Sequence, residues 1–439
     1  MPFTSRNKLA WLCLPIISLS LLIISCGGSK STPTTLANPA VLTVAFGSSG
    51  ALDGSSSANS NSTGNIWLAK TDGSAATPLT RLSNGSDSSE PVWSSDGKKI
   101  AFVSTRALDG SDSIAAANNI WVVNADGTAA APLTRLTTSG LVFWNLAWSP
   151  DGRKLAFASS AALDGSDALS TNGAVNVWVM NADGTGATPI TRLTVNPSGG
   201  AWTSQEVIWS PNSAKIAFLS VGALDGSNAL NTNAVFNVWV AKADGTSLSP
   251  LTRLTASGVF QTDPAWSPDG AKIAFIAQRA LDASDAASST NTMNLWTINA
   301  DGSSATPLTR FTSNDFMFYP VWSPDGSKLA FGSGRALDGS DASNINSADN
   351  VWTINANGTG AFAVTRLTTT GINFASPMTW SPDGKKIAFT SQRAVDGANV
   401  ANPSGATNVW LLNADGSGAM PFTKLTSAAA SSGLPVWKP

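Results

Sequence analysis

The stretch Asp263-Pro264-Ala265-Trp266-Ser267-Pro268-Asp269-Gly270-Ala271-Lys272-Ile273-Ala274-Phe275, continued by Asn294-Leu295-Trp296-Thr297-Ile298-Asn299-Ala300-Asp301-Gly302, decides the fold, because its elements recur seven times. The tryptophan of the W-S element returns at Trp93, Trp148, Trp209, Trp266, Trp322, Trp380 and Trp437, at intervals of 55 to 61 residues. An N-x-W element returns at Asn65, Asn119, Asn176, Asn237, Asn294, Asn350 and Asn408. A third element, I/L/V-A-F, ends at Phe46, Phe102, Phe157, Phe218, Phe275, Phe331 and Phe389. A period this long and regular marks an array of one supersecondary unit.

The two ends of the array say how it closes. The first copy begins at the A-F strand, Leu42 to Phe46, with no W-S element ahead of it. The last copy stops at Pro435-Val436-Trp437-Lys438-Pro439, just past its W-S position. Each end supplies what the other lacks, as in a ring whose terminal strands complete one unit.

Each unit reads as four short strands. P-x-W-S (Pro264 to Ser267) comes first, and Asp269-Gly270 is a tight turn of the hairpin kind. Lys272 to Ile276 is apolar on both faces, as a strand sandwiched between neighbouring sheets would be. Asn294 to Ile298 is the third strand, and Asp301-Gly302 leads to a fourth at Pro307 to Thr312. The predicted class is all-β: a seven-bladed β-propeller of four-stranded antiparallel blades over residues 41–439, closed by pairing of the N- and C-terminal strands.

The repeats resemble those of the TolB-like propellers, whose blades carry W-S-P-D-G-K-K-I-A-F. Trp380-Ser381-Pro382-Asp383-Gly384-Lys385-Lys386-Ile387-Ala388-Phe389 matches that phrase throughout, and Asn124 to Thr128, Asn181 to Thr185 and Asn413 to Ser417 match its second half. Two blades depart in the turn, with Ser95 for the proline and Asn212-Ser213 for Asp-Gly. Both changes suit a turn. Family members that carry an α/β domain ahead of the propeller differ from this sequence, where residues 27–40 precede the first predicted strand. Family members that act as pectin lyases depend on metal-binding histidines, and this chain has no histidine.

The N-terminus points to the cell envelope. Arg6 and Lys8 precede an apolar run from Leu9 to Ile24, the pattern of a secretory signal over residues 1–25. Ile23-Ile24-Ser25-Cys26 resembles a bacterial lipobox, which implies lipidation of Cys26, with Gly27 directing the protein to the outer membrane, facing the periplasm. Multiple acyl chains anchor stably where one does not. Residues 26–40 are the lipidated cysteine and a small, polar, flexible tether.

Composition narrows function by exclusion. Net charge is -2 with no basic run, against the concentrated positive surface that nucleic acid requires. Without histidine there is no Ser-His-Asp or Cys-His catalysis, and the commonest metal ligand is missing. No nucleophile elbow and no phosphate loop occur. The reading is therefore a non-enzymatic chain with no cofactor and no metal. The A-L-D-G-S-D loops place carboxylates three apart, as at Asp109 and Asp112, Asp164 and Asp167, Asp282 and Asp285, and Asp338 and Asp341. Such pairs suit part of a calcium shell, but turn capping accounts for them in every blade. An arginine or lysine on each fourth strand, Arg81 through Lys424, reads as edge protection.

In a four-stranded meander the 2–3 and 4–1 loops share a face, and the Asp-Gly turns share the other. The loop face holds the length variation, where sites tend to lie. Its 4–1 loops bring in Phe143, Trp144, Trp202, Phe260, Phe316, Phe318, Tyr319 and Phe374 over five consecutive blades. Aromatic side chains anchor protein partners and sugar rings, and they also serve as core under loops. The expected partner is an envelope protein or peptide, with a glycan as the alternative and an Asp-dependent glycan-processing enzyme behind it. A purely structural ring is the third reading. The only two glutamates are Glu90 and Glu206.

Overall fold

A computed structural model describes residues 41–439 apart from 171–172, 195–203, 257–260, 285, 291, 314–315, 345, 347 and 370–376, and apart from the side chains of 116 and 232. Those residues form seven four-stranded antiparallel sheets. Blade five shows why the repeat folds as it does. Its strands are Gln261–Trp266, Lys272–Ala277, Asn294–Asn299 and Thr306–Pro307, in that order outward from the axis. The Asp-Gly turn between the first two places Gly270 at φ +69°, where a side chain would be strained.

The second strand is buried along both faces because blades pack on both sides of it. Ile273, Phe275 and Ala277 pack with Ala217, Leu219, Val238 and Val240 of the preceding blade. Ala274 and Ile276 pack with Trp322, Phe331 and Trp352 of the following blade. Each core is thus an interface between blades, which is why a single blade could not stand alone.

The ring closes as its ends predict. Strand Ser432–Trp437 pairs with Thr43–Ser48, placing Val44 opposite Trp437 and Ser48 opposite Ser432. Blade one therefore takes its innermost strand from the C-terminus and its other three from the N-terminus. The indole N–H of Trp93 donates to the Val436 carbonyl at 3.2 Å, and that of Trp437 to the Thr379 carbonyl at 3.2 Å, so the inner strands are tied across the closure on both sides.

The fourth strand is shorter than its sequence pattern. It is two residues long in every blade, Thr306–Pro307 in blade five, and the T-R-L/F-T phrase after it is a loop. The N-x-W asparagine explains why. Asn294 Oδ1 accepts from the Thr309 hydroxyl and from the Phe311 N–H, both at 2.8 Å, and its amide donates to the Phe311 carbonyl at 3.1 Å. The side chain satisfies backbone groups that a longer ladder would otherwise hold. Arg81, Arg135, Arg192, Arg253, Arg310, Arg366 and Lys424 are exposed on these loops, not on edge strands.

Candidate functional site

The innermost strands surround a cavity of about 590 Å³ on the propeller axis, lined from all seven blades. One residue per blade rings it, three positions before the inner tryptophan: Glu90, Asn145, Glu206, Asp263, Tyr319, Pro377 and Leu434. Six of these have left-handed backbone, with φ between 51° and 57°: Glu90, Asn145, Glu206, Asp263, Tyr319 and Leu434. None is glycine. The cause is a β-bulge. In blade five, Thr262 faces Ile276 and Ala265 faces Ala274, so the inner strand holds one extra residue there. Such backbone costs on the order of 1 kcal/mol per residue, and it gathers at functional positions. Pro377 is the exception, since its ring fixes φ on the negative side.

The ring is cross-linked by a directional relay. Glu90 faces the N–H groups of Asn145 and Leu146. The Glu206 N–H donates to Asn145 Oδ1 at 3.0 Å. The Asp263 N–H donates to Glu206 Oε2, and the Tyr319 N–H to Asp263 Oδ2 at 3.2 Å. Each acceptor thus takes the N–H of the next blade's bulge. The relay stops after Tyr319, because Pro377 has no N–H. Five consecutive blades present polar groups, ending at the Tyr319 phenol, and the remaining two present Pro377 and Leu434.

Desolvation dominates the electrostatics. Burial pushes the Glu90 carboxyl up to about 7, against the two N–H groups it accepts from. Burial, then the neighbouring Asp263 charge, pushes Glu206 up to about 8. Asp263 is raised by burial as well. Tyr319 is raised above the usual phenol value by burial and by the Asp263 and Glu206 charges. No lysine or arginine lines the cavity among the described residues.

The rim aromatics divide. Phe316 is 61% exposed on the loop face, immediately before the inner strand Met317–Trp322. Phe143 is core: it is 3% exposed and meets Phe157 edge-on at 5.5 Å between ring centres. The inner strand begins at Phe143, and pleat alternation turns its side chain between blades. Trp144 is half-buried against the core between blades three and four. Phe318 covers Gly332 on the paired strand, where an added Cβ would lie 1.9 Å from the ring. Tyr319 points to the axis. Trp202, Phe260, Phe374 and Cys26 lie outside the described residues, as does Asp285.

The loop aspartates are structural fasteners. Asp109 and Asp164 each accept from the N–H two residues on, at 2.8 and 2.9 Å, as turn caps. Asp112 accepts from the Ser83 N–H at 2.7 Å and Asp167 from the Thr137 N–H at 2.8 Å, each clipping its blade to the loop of the preceding one. Asp341 does the same with Thr312 and pairs with Arg335.

No family model and no curated protein matches the chain. Solved structures do. The β-propeller domain of the Trilobed protease from Pyrococcus furiosus, described as having an open velcro topology, aligns with TM-score 0.52 and 12% identity over 83% of this chain and 91% of that one. An oligogalacturonate lyase in complex with manganese aligns with TM-score 0.50 and 15% identity over 82% and 81%. A putative TolB from Agrobacterium tumefaciens aligns with TM-score 0.44 and 16% identity over 85% and 98%. The chain shares the β-propeller fold of these proteins. At these identities the likeness extends to the fold alone. This propeller closes by strand pairing.

Sequence reasoning passed over the axial ring. A signal was present: within an otherwise repeated phrase, the position three before the tryptophan varies in every blade but two, and it takes both glutamates and the single tyrosine of the chain.

Proposed function

We propose that this chain is a non-enzymatic binding module of the cell envelope, held to the outer membrane through lipid on Cys26, which docks a protein or peptide on its loop face. One observation carries the reading: the residue types that break the repeat gather at one end of the ring. Glu90, Glu206 and Tyr319 stand on the half of each inner strand nearest the 4–1 loops, and Phe316 is exposed just ahead of the strand that carries Tyr319. The opposite face consists of repeated Asp-Gly turns. A ring that served rigidity alone would have no use for that asymmetry. An exposed aromatic on the loop face suits a protein partner.

The test is capture of crosslinked envelope proteins by the full lipidated chain, beside a variant carrying Phe316→Ala, Trp202→Ala, Phe260→Ala and Phe374→Ala. A protein retained by the first and lost by the second supports docking and locates the face. Equal recovery from both rejects it. A glycan array with a turnover assay, run in parallel, reads out the glycan alternative. Cys26→Ala should release the protein from membranes, and retention there would reject the anchor.

A further inference from the structure

We propose that a cavity of about 320 Å³ between blades seven and one binds a guanidinium group on an alkyl stem, seated on Trp67. The inference does not rest on docking through the loop aromatics. The repeat itself says what belongs in this place. After the second strand, blades two, five and seven read Arg106-Ala107-Leu108-Asp109, Arg279-Ala280-Leu281-Asp282 and Arg393-Ala394-Val395-Asp396. Each arginine lies over the third-strand tryptophan of its own blade. The guanidinium carbon is 5.4 Å from the ring centre of Trp121, 5.4 Å from that of Trp296 and 5.2 Å from that of Trp410. The Nε–H donates into the loop that follows: Arg106 to the Gly110 carbonyl at 2.9 Å, Arg279 to the Ser284 carbonyl at 2.9 Å, and Arg393 to the Ala398 carbonyl at 3.1 Å. A planar cation on an indole face, with carbonyls at its edge, is an arrangement that suits guanidinium better than a compact ammonium.

Blade one keeps this seat and lacks the arginine. Its phrase is Gly50-Ala51-Leu52-Asp53. The loop is held as in blade two. The Gly54 N–H donates to the Ala51 carbonyl at 2.9 Å, as that of Gly110 does to Ala107. The Ser55 N–H donates to Asp53 Oδ1 at 2.8 Å, as that of Ser111 does to Asp109. Gly54 and Ser55 hold the repeat positions of Gly110 and Ser111, and they line the cavity together with Trp67, Phe46 and Phe422.

The space is not a general consequence of losing the arginine. Blade four also lacks it, at Gly222, but there Leu248 packs against Phe218 and Trp239, and about 20 Å³ is left. The matching residue of blade one is Ala76, which is too small to fill the gap. Lys424 lines the cavity as well. It does not forbid a cation, because Arg81, Arg253 and Arg366 hold its repeat position ahead of the three blades whose arginine is in place. The volume is at the lower end for ligand pockets and matches a side-chain-sized group.

The experiment is an NMR titration of the full chain with n-butylguanidinium and with n-butylurea, which is similar in shape and uncharged. The guanidinium should bind at least about fivefold more tightly. Gly50→Arg supplies the group from the chain itself, and should abolish binding and raise the melting temperature. Its Cβ would lie 3.0 Å from Leu425 Cδ2 and 3.3 Å from Ser48 Oγ, both at the ends of side chains. Blade two carries Arg106 with the same residue types at those repeat positions, Leu82 and Ser104. Ala76→Leu, which copies blade four, should weaken the guanidinium at least about fivefold and carries the test if Gly50→Arg fails to fold. A Gly-Arg-Gly peptide with blocked ends separates the two sources of the group. Binding as tight as that of n-butylguanidinium assigns the site to an arginine of a protein, and weaker binding assigns it to a free alkylguanidinium. Equal binding of guanidinium and urea would make the cavity merely apolar and overturn the proposal. So would guanidinium binding that survives Gly50→Arg, or no binding of n-butylguanidinium.

Discussion

At the residue scale, the same asparagine in seven blades does what no strand does. Asn294 is fully buried and holds the Thr309–Phe311 loop by three hydrogen bonds. Asn294→Ala leaves the half-buried N–H and carbonyl of Phe311 without their partner, so we expect a loss of about 1–3 kcal/mol, read as a lowered urea midpoint at unchanged slope. Glu206 illustrates the opposite balance. A carboxyl whose folded-state value is raised binds its proton more tightly in the folded chain than in the unfolded one. Stability is then greatest at low pH, falls as pH climbs from the ordinary value of 4.5 towards about 8, and levels off above. Thermal melts across that range should show the decline, and Glu206→Gln should make it shallower, the remainder coming from the raised Glu90 and Asp263 carboxyls. A wild-type melting temperature that does not fall over the interval would contradict the burial assigned here.

At the element scale, the inner strand is where the repeat and the site meet. Its bulge inserts one residue, turns that residue into the left-handed region, and so directs a side chain to the axis rather than between blades. Another inner-strand device is local to blade six. Phe318 lies across Gly332, its partner on the second strand. Gly332→Ala should cost about 1–3 kcal/mol through overpacking, since its Cβ would enter the ring. Phe318→Ala should absorb most of that penalty, so the double variant should be far less destabilised than the sum of the two single ones. Additive effects in denaturant melts would refute the contact.

At the scale of the whole molecule, stability depends on closure. Every core lies between two blades, so an open ring would leave two blade faces wet. Val44, Phe46, Trp67 and Trp437 of blade one pack with Ala388, Val409 and Leu411 of blade seven. Trp437→Ala removes a buried indole from that interface together with its bond to Thr379, and should cost about 3–5 kcal/mol. Truncation after residue 431 removes the entire inner strand of blade one, and should convert a protease-resistant ring into one digested from both ends.

The sequence by itself determined the blade count, the strand order and the closure. These follow from periodicity and from which fragment of the repeat each end carries, and both are local properties of the chain. It also located the turns, because Asp-Gly chemistry is local. It overextended the fourth strand, since nothing local reveals that the Asn294 side chain replaces ladder bonds around Thr309 and Phe311. It assigned Phe143 and Phe318 to the rim, where pleat alternation and the Phe318–Gly332 register instead direct them into packing. The axial ring was decided only in three dimensions. Glu90, Glu206 and Asp263 are separated by more than fifty residues at each step, and only circular closure with a shared bulge brings them into one desolvated space.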